Sequence, residues 1–104
     1  GGVRRAGKPT APLLSARLEQ DGTAQAKLEI SNSGQGQAQI ADLGLVVAGR
    51  RTPVMDGLVG YVLPGQTMRW PLQPPPAQLQ GGTFSARING GSEPTPLPAT
   101  PPAR

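Results

Sequence analysis

A chain of 104 residues with a net charge of +4 has room for one domain and a single small core. Its 13 prolines and 15 glycines argue against long helices and favour short strands joined by turns. Because the chain has neither cysteine nor histidine, it can form no disulfide and no thiolate metal site, and it lacks both the commonest metal ligand and the usual general base.

Two alternating segments open the folded part of the chain. In the first, Leu14, Ala16 and Leu18 alternate with polar residues and lead to an Asp21-Gly22 turn, which is a strong hairpin signal. In the second, apolar and polar residues alternate over residues 24–31, a period of two that a helix rarely produces. These segments predict two β-strands joined by a tight turn.

A third alternating segment follows a polar turn at residues 32–36. Its apolar residues keep one parity as far as Ile40 and take the opposite parity over residues 43–47. The change near Ala41-Asp42 indicates either a β-bulge, or the end of one strand and the start of the next.

The middle of the chain is predicted to form a loop at residues 49–53 and a short strand at residues 58–63. Pro64-Gly65 then occupies the middle of a predicted type II turn. Met68, Trp70 and Leu72 then alternate inward. The prolines of residues 73–76 cannot pair as a central strand, so this segment is predicted to be a polyproline-like crossover between two sheets.

The last alternating strand contains Phe84, Ala86 and Ile88 and stops at Asn89-Gly90. The proline-rich remainder supplies at most one edge strand, around residues 95–97. We therefore divide the chain into a linker or remnant of a preceding domain at residues 1–12, a folded domain at 13–97 and a disordered tail at 98–104.

Six or seven short strands with turn signals every eight to twelve residues predict an all-β fold, an immunoglobulin-like β-sandwich of about seven short antiparallel strands without a disulfide. With so few aromatic residues, Trp70 and Phe84 are expected to supply much of the packing. The predicted core residues are Leu28, Ile30, Leu43, Leu45, Met68, Trp70, Phe84 and Ile88.

The residue pattern predicts no catalytic, cofactor or metal site. The six carboxylates are scattered over turns and polar strand faces, which is typical of a solvated surface, and Lys8 and Lys27 are the only lysines that could activate a nucleophile. The basic residues form no dense face accompanied by stacking aromatics, which argues against nucleic-acid binding. No apolar run approaches the roughly 20 residues that span a bilayer. The pattern leaves open whether Tyr61 faces the core or solvent.

Three segments carry a family resemblance. LEISNSGQGQAQIADL (residues 28–43) is similar to the strand, Asn-x-Gly turn and strand that open the second domain of PapD-like periplasmic pilus-assembly chaperones. GLVGYVLPGQTMRW (residues 57–70) resembles the YVLPG…RRW segment of the subgroup that assembles archaic, spore-coat-U-type pili. FSARING (residues 84–90) looks like a late strand of the same domain. The resemblance covers roughly residues 5–97.

The resemblance implies a non-enzymatic chaperone domain in the periplasm, with the signal peptide absent from this chain. The implied partners are a pilus subunit, an outer-membrane usher and the chaperone's own first domain, which donates the strand that completes the subunit. The second domain supports the subunit-binding cleft and contacts subunit and usher. Arg4 and Arg5 correspond to the segment that leaves the first domain, so they are the candidate protein-binding residues, although Ala6 stands where the family usually has proline.

A second interpretation is a free-standing immunoglobulin-like adhesive or carbohydrate-binding module, in which Tyr61 and exposed strand edges bind the ligand. A pilus subunit fits less well, because residues 1–12 contain no alternating apolar donor strand.

Overall fold

The computed structural model describes residues 11–20, 25–74 and 76–100. Within these residues the chain forms seven strands and one 3-10 helix at Pro76–Leu79. The strands are β1 (Leu14–Gln20), β2 (Ala26–Asn32), β3 (Ala38–Val47), β4 (Arg50–Val62), β5 (Thr67–Leu72), β6 (Thr83–Ile88) and β7 (Thr95–Pro96).

The strands form two antiparallel sheets, which confirms the predicted all-β fold. One sheet has the order β1-β2-β5 and the other the order β4-β3-β6-β7. An immunoglobulin-like sandwich separates its first, second and fifth strands from its third, sixth and seventh in this way. Here the fourth strand lies beside the third, so β4 and β5 are edge strands of different sheets.

The core lies between the sheets and contains most of the predicted residues. Antiparallel partners share a face, so the pairing of Leu28 with Trp70 and of Ile30 with Met68 directs all four toward the other sheet. Met68 is nevertheless 39% exposed, because β5 is an edge strand and covers it from one side only; its assignment to the core was wrong. Trp70 and Ile88 are partly buried and pack against the core, and Leu28, Ile30, Leu43, Leu45 and Phe84 are buried.

The predicted loop at residues 49–53 is instead a tight hairpin. Val47 pairs with Arg50, which leaves Ala48 and Gly49 as a two-residue turn. Both residues have positive φ, 53° and 80°, as a type I′ turn requires. Alanine is rarely found with positive φ, so the sequence gives no signal for this turn.

The two other connections of interest were anticipated. Gly65 has a φ of 78° and the Gln66 N–H donates to the Leu63 carbonyl at 3.0 Å, which confirms a turn at Pro64-Gly65. The segment after β5 does cross from one sheet to the other, and the 3-10 helix Pro76–Leu79 ends the crossover with Leu79 buried.

The C-terminal residues close one side of the sandwich. β7 pairs with β6 near the predicted position, and the chain then continues to the edge of β1. There the Ala16 N–H donates to the Pro98 carbonyl at 2.8 Å, and the Thr100 N–H donates to the Ala16 carbonyl at 3.0 Å. The predicted disordered tail is therefore wrong for residues 98–100, while residues 101–104 lie outside the described residues. The predicted 1–12 linker and the Asp21-Gly22 turn also fall largely or wholly outside them.

A ring of charges covers the outer face of the three-stranded sheet. Glu29 pairs across its two neighbours with Arg17 and Arg69, which it contacts at 3.1 and 2.6 Å. Glu19 contacts the same two arginines at 2.8 and 3.3 Å. Glu29 is buried beneath the guanidinium groups, which corrects the expectation that every carboxylate is solvated.

Replacement of Gly60 by alanine should separate the sheets locally. A β-carbon at Gly60 would lie 2.8 Å from Cζ2 of Trp70, so the indole must move out of its site. We expect a loss of about 1–3 kcal/mol in the free energy of unfolding by urea, together with a changed emission of the single tryptophan. The control is Gly91→Ala, whose β-carbon meets nothing closer than the Ile88 carbonyl oxygen at 3.2 Å. Equal urea midpoints for the two variants would contradict this role of Gly60.

Replacement of Glu29 by glutamine should destabilise the domain more than Glu19→Gln. Both substitutions remove one carboxylate from the same two arginines, but the Glu29 side chain is 8% exposed and the Glu19 side chain 30%. We expect a cost of about 1–3 kcal/mol for Glu29→Gln, because the interactions lost are the buried ones. Urea unfolding of both variants measures the difference, and a larger effect of Glu19→Gln would show that burial does not determine the energetics of the ring.

Candidate functional site on the four-stranded sheet

A β-bulge in β3 organises the outer face of the four-stranded sheet. The pairing of β3 with β4 shifts register between Ile40 and Gly44, which resolves the change of parity seen in the sequence as a bulge within one continuous strand. Asp42 occupies the bulge with a φ of 52°, a conformation that aspartate tolerates better than most residues.

The Asp42 carboxylate holds the neighbouring strands at the bulge. Its Oδ1 accepts a hydrogen bond from the Gly57 N–H of β4 at 2.8 Å, and its Oδ2 forms an ion pair with Nη1 of Arg87 in β6 at 2.7 Å. Nε of Arg87 also donates to the Gly91 carbonyl at 2.8 Å, beyond the end of β6. One carboxylate thus links three adjacent strands.

Arg51 lies flat across the same face. Its Nε donates to Oγ of Ser85 at 2.9 Å, and its Nη2 donates to the Asp42 carbonyl oxygen. Gly44 makes room for it, because a β-carbon at Gly44 would lie 2.5 Å from Cζ of Arg51. The guanidinium is therefore held in a fixed orientation between β3, β4 and β6.

The charges around the bulge are unequally paired. The pKa of Asp42 is lowered chiefly by the hydrogen bond from Gly57, against an opposing effect of desolvation, with further lowering by Arg87 and Arg51. Among the ion pairs of the described residues, Arg17, Arg69 and Arg87 each have a carboxylate partner, whereas Arg51 has none within 4 Å. The site thus presents a positioned cation without a full counter-charge.

A shallow groove of about 350 Å³ adjoins Arg51. Val46, Thr83, Pro94 and Pro96 line it together with Arg51 and Ser85. Ser85 has an arginine rather than a base as its hydrogen-bond partner, and arginine remains protonated in proteins. Its apolar residues and the Arg51 guanidinium suit the groove to an apolar or anionic group, and none of its six described lining residues could act as a base toward the serine hydroxyl.

Apolar side chains lie exposed at the β4 edge of the same sheet. Leu58, Tyr61 and Leu63, which we call the β4 patch, are 57%, 47% and 43% exposed. Tyr61 pairs with Gln39 of β3, whose Nε2 donates to the tyrosine hydroxyl at 3.2 Å. The question that the sequence left open for Tyr61 is answered by its position on the outer face, in solvent.

The predicted site residues and this surface do not coincide. Arg4 and Arg5 lie outside the described residues, so their prediction stays untested. The network of Asp42, Arg51 and Arg87 was missed. The change of parity at residues 41–42 was its visible signal, but the assignment of Arg51 to a loop concealed that it belongs to a strand beside Asp42.

The described residues form an all-β sandwich, whose four-stranded sheet carries the Asp42 network, the groove beside Arg51 and the β4 patch. Comparison with known protein families, with curated proteins and with solved structures finds no match. Among residues 11–20, 25–74 and 76–100, no acidic side chains gather in the groups of three that could hold a metal ion. The described part of the chain also has no helix of the length and apolarity needed to cross a bilayer.

Replacement of Asp42 by asparagine should remove part of the acid sensitivity of the domain. A folded-state pKa below the ordinary value of 3.8 means that the ionised carboxylate stabilises the fold above that pH, and that this stabilisation is lost as the pH falls through the lower folded-state pKa. Asparagine tolerates the same positive φ, so the substitution changes charge with little backbone strain. We expect a lower urea midpoint than wild type at neutral pH and a smaller difference in strong acid.

The control is Asp56→Asn, which alters an exposed aspartate on β4 outside the bulge network. An Asp42→Asn variant that loses stability equally at neutral and acidic pH would show that the carboxylate charge does not act as inferred.

Proposed function

We propose that this chain is a non-enzymatic protein-binding domain, the second immunoglobulin-like domain of a periplasmic chaperone for pilus subunits. The observation that supports the proposal best is the way in which the three resembling segments interlock. They lie on β2–β3, on β4–β5 and on β6, and side chains of the first and third bind the backbone of the others.

Asn32 shows this interlocking most clearly. Its side chain, buried at the end of β2, donates to the carbonyls of Gly36 and Val62 at 2.8 and 3.0 Å and accepts from the N–H groups of Leu13 and Gly34 at 3.2 and 2.9 Å. The Asn-x-Gly turn is therefore joined to the start of the domain and to the YVLPG segment. A motif with this role is expected wherever the same strand arrangement is built.

Asn89 plays a similar part for the third segment. Its Oδ1 accepts from the Gln39 N–H at 2.8 Å, and the Asn89-Gly90 turn has φ values of 54° and 75°. Packing and turn geometry thus account for the asparagines and glycines of the resembling segments. Tyr61 is the most exposed aromatic side chain of these segments, which makes it a candidate for contact with a partner.

The chemistry of the described surface favours binding of protein over catalysis. Its ion pairs join neighbouring strands, and Arg51 beside Ser85 cannot serve as a base. We assign the domain the supporting role in subunit capture: it would hold the cleft formed with the first domain and contribute contacts to the subunit and to the outer-membrane usher.

A carbohydrate-binding or adhesive module is the second candidate. The exposed ring of Tyr61 with the Gln39 amide beside it is the observation in its favour, because an aromatic face next to a hydrogen-bonding amide is a common way to hold a sugar.

Co-expression separates the two candidates. This chain, and a longer form that includes the preceding domain, are each expressed with candidate pilus subunits and recovered by affinity pull-down. We expect the longer form to retain a subunit and the isolated chain to retain little, since the donated strand belongs to the first domain. Recovery of no subunit by the longer form would overturn the chaperone proposal.

A glycan array probed with this chain and with Tyr61→Ala tests the second candidate. Because Tyr61 is half-exposed, its removal should leave the fold intact, which unfolding in urea verifies. Glycan binding by wild type that is lost in Tyr61→Ala would establish the adhesive module in place of the chaperone domain.

A further inference from the structure

The edges of the two sheets are protected to very different degrees. Residues 98–100 pair with β1 and cover that edge. β7 is a strand of two residues with prolines at positions 94, 96 and 98, and such prolines cannot donate to a further strand. β5 is six residues long and contains Pro71. β4 has thirteen residues, and within the described residues it pairs with β3 alone.

The C-terminal half of β4 lacks two of the usual protections of an edge strand, prolines and, after Asp56, charged side chains. No charged residue occurs between Asp56 and Arg69, and no proline interrupts β4 after Pro53. Four of the six large hydrophobic side chains that are exposed belong to this side of the sandwich: the β4 patch and Met68 on β5. An uncharged, apolar and unpaired edge is a template for the addition of another strand.

We propose that β4 pairs antiparallel with β4 of a second copy of this chain, around a two-fold axis at Tyr61. Residues that pair across antiparallel strands share a face of the sheet, and neighbouring residues of one strand lie on opposite faces. A two-fold axis must therefore pass through a residue, because an axis between two residues would pair side chains of opposite faces. An axis at Tyr61 places this residue opposite its own counterpart on the outer face. It also places Gly60 opposite Val62 of the second copy.

This register fits the geometry of β4 better than its neighbours do. It confines pairing to residues 60–62, which lie between the register shift at Val59 and the turn at Pro64-Gly65. It places the Tyr61 rings of the two copies opposite each other, which is a favourable cross-strand pair. An axis at Gly60 would instead oppose two glycines and bring Leu58 into the pairing at a register shift.

Charge favours a second copy as the occupant. Every side chain brought together over residues 60–62 is uncharged, so the pairing places no like charges opposite each other. Arg50 and Arg51 lie at the N-terminal end of β4, and the antiparallel arrangement carries the arginines of the two copies to opposite ends of the joint sheet. The net charge of +4 therefore opposes association only at a distance, where salt screens it. The pairing is a property of this chain alone and does not rest on the proposed function.

Sedimentation of the whole chain tests the proposal. Wild type should pass from monomer to dimer as its concentration rises from about 1 µM to 1 mM, the range in which a small interface is expected to dissociate. Tyr61→Lys places two like charges at the axis and should shift the midpoint at least tenfold upward. Thr95→Lys, at the opposite edge of the same sheet, is the matched control and should sediment like wild type.

Cross-linking tests the register. Because the chain has no cysteine, a single Tyr61→Cys substitution gives a unique thiol that should form a disulfide-linked dimer on mild oxidation. Thr95→Cys should not. Wild type that stays monomeric up to 1 mM, or a dimer that Tyr61→Lys leaves unchanged, would overturn the proposal, and so would equal cross-linking through Thr95→Cys.

Discussion

The buried side chain of Asn32 is the polar link on which the arrangement of the two sheets depends. Its strand belongs to the three-stranded sheet, yet its amide donates to Val62 of the four-stranded sheet. Backbone bonds reinforce the link: the Asn32 N–H donates to the Gln66 carbonyl at 3.0 Å, and the Gly65 N–H donates to the Asn32 carbonyl at 2.8 Å. A sandwich without cysteine has no inter-sheet disulfide, so this asparagine and the contact of Trp70 with Gly60 hold the sheets in register instead.

This link also explains why one segment dominates the sequence. The turn at Pro64-Gly65 must bring the chain from the edge of one sheet to the edge of the other within a few residues. The backbone of Asn32 forms hydrogen bonds with Gly65 and Gln66 of this turn. Gly60 is small because the indole of Trp70 lies over it, and Gly65 is glycine because its φ is 78°. The two aromatic residues of the segment have opposite roles as a result. Trp70 packs between the sheets, and Tyr61, one residue beyond Gly60, points to solvent.

The fold was accessible from the sequence where a local pattern and the tertiary structure agree. Period-two alternation located most of the strands, and the change of parity at residues 41–42 identified the bulge as one of two alternatives. The pattern could not locate the hairpin at Ala48-Gly49, because alanine carries no signal for positive φ. Nor could it show that Met68 is at an edge, since alternation reports the face of a residue and not the number of strands beside it.

The candidate site was less accessible for a related reason. Asp42, Arg51 and Arg87 are distant in sequence and meet only because β3, β4 and β6 are neighbours, and a single sequence does not contain strand order. The burial of Glu29 has the same origin: two arginines from two flanking strands cover it. Polar residues on a strand therefore predict an outward face but not whether that face is solvated, and here both sheets carry charge networks that bind strands together.

The β4 edge differs from the other surfaces of the domain, where charge networks or neighbouring strands cover the sheets. On the outer faces of both sheets the charged groups are largely engaged with neighbouring strands, and β1 and β6 are paired on both sides, with β7 and residues 98–100 completing the closed side. Among the described residues, the C-terminal half of β4 has no second neighbour, and after Asp56 it carries neither charges nor prolines, two of the usual means of protecting an edge. Leu58 and Tyr61 are exposed at this edge, so packing within the domain does not explain why they are apolar. A strand that pairs with the edge would cover them and would explain it. Recognition by this protein is thus expected to involve backbone pairing at β4, with side chains of the β4 patch setting the register.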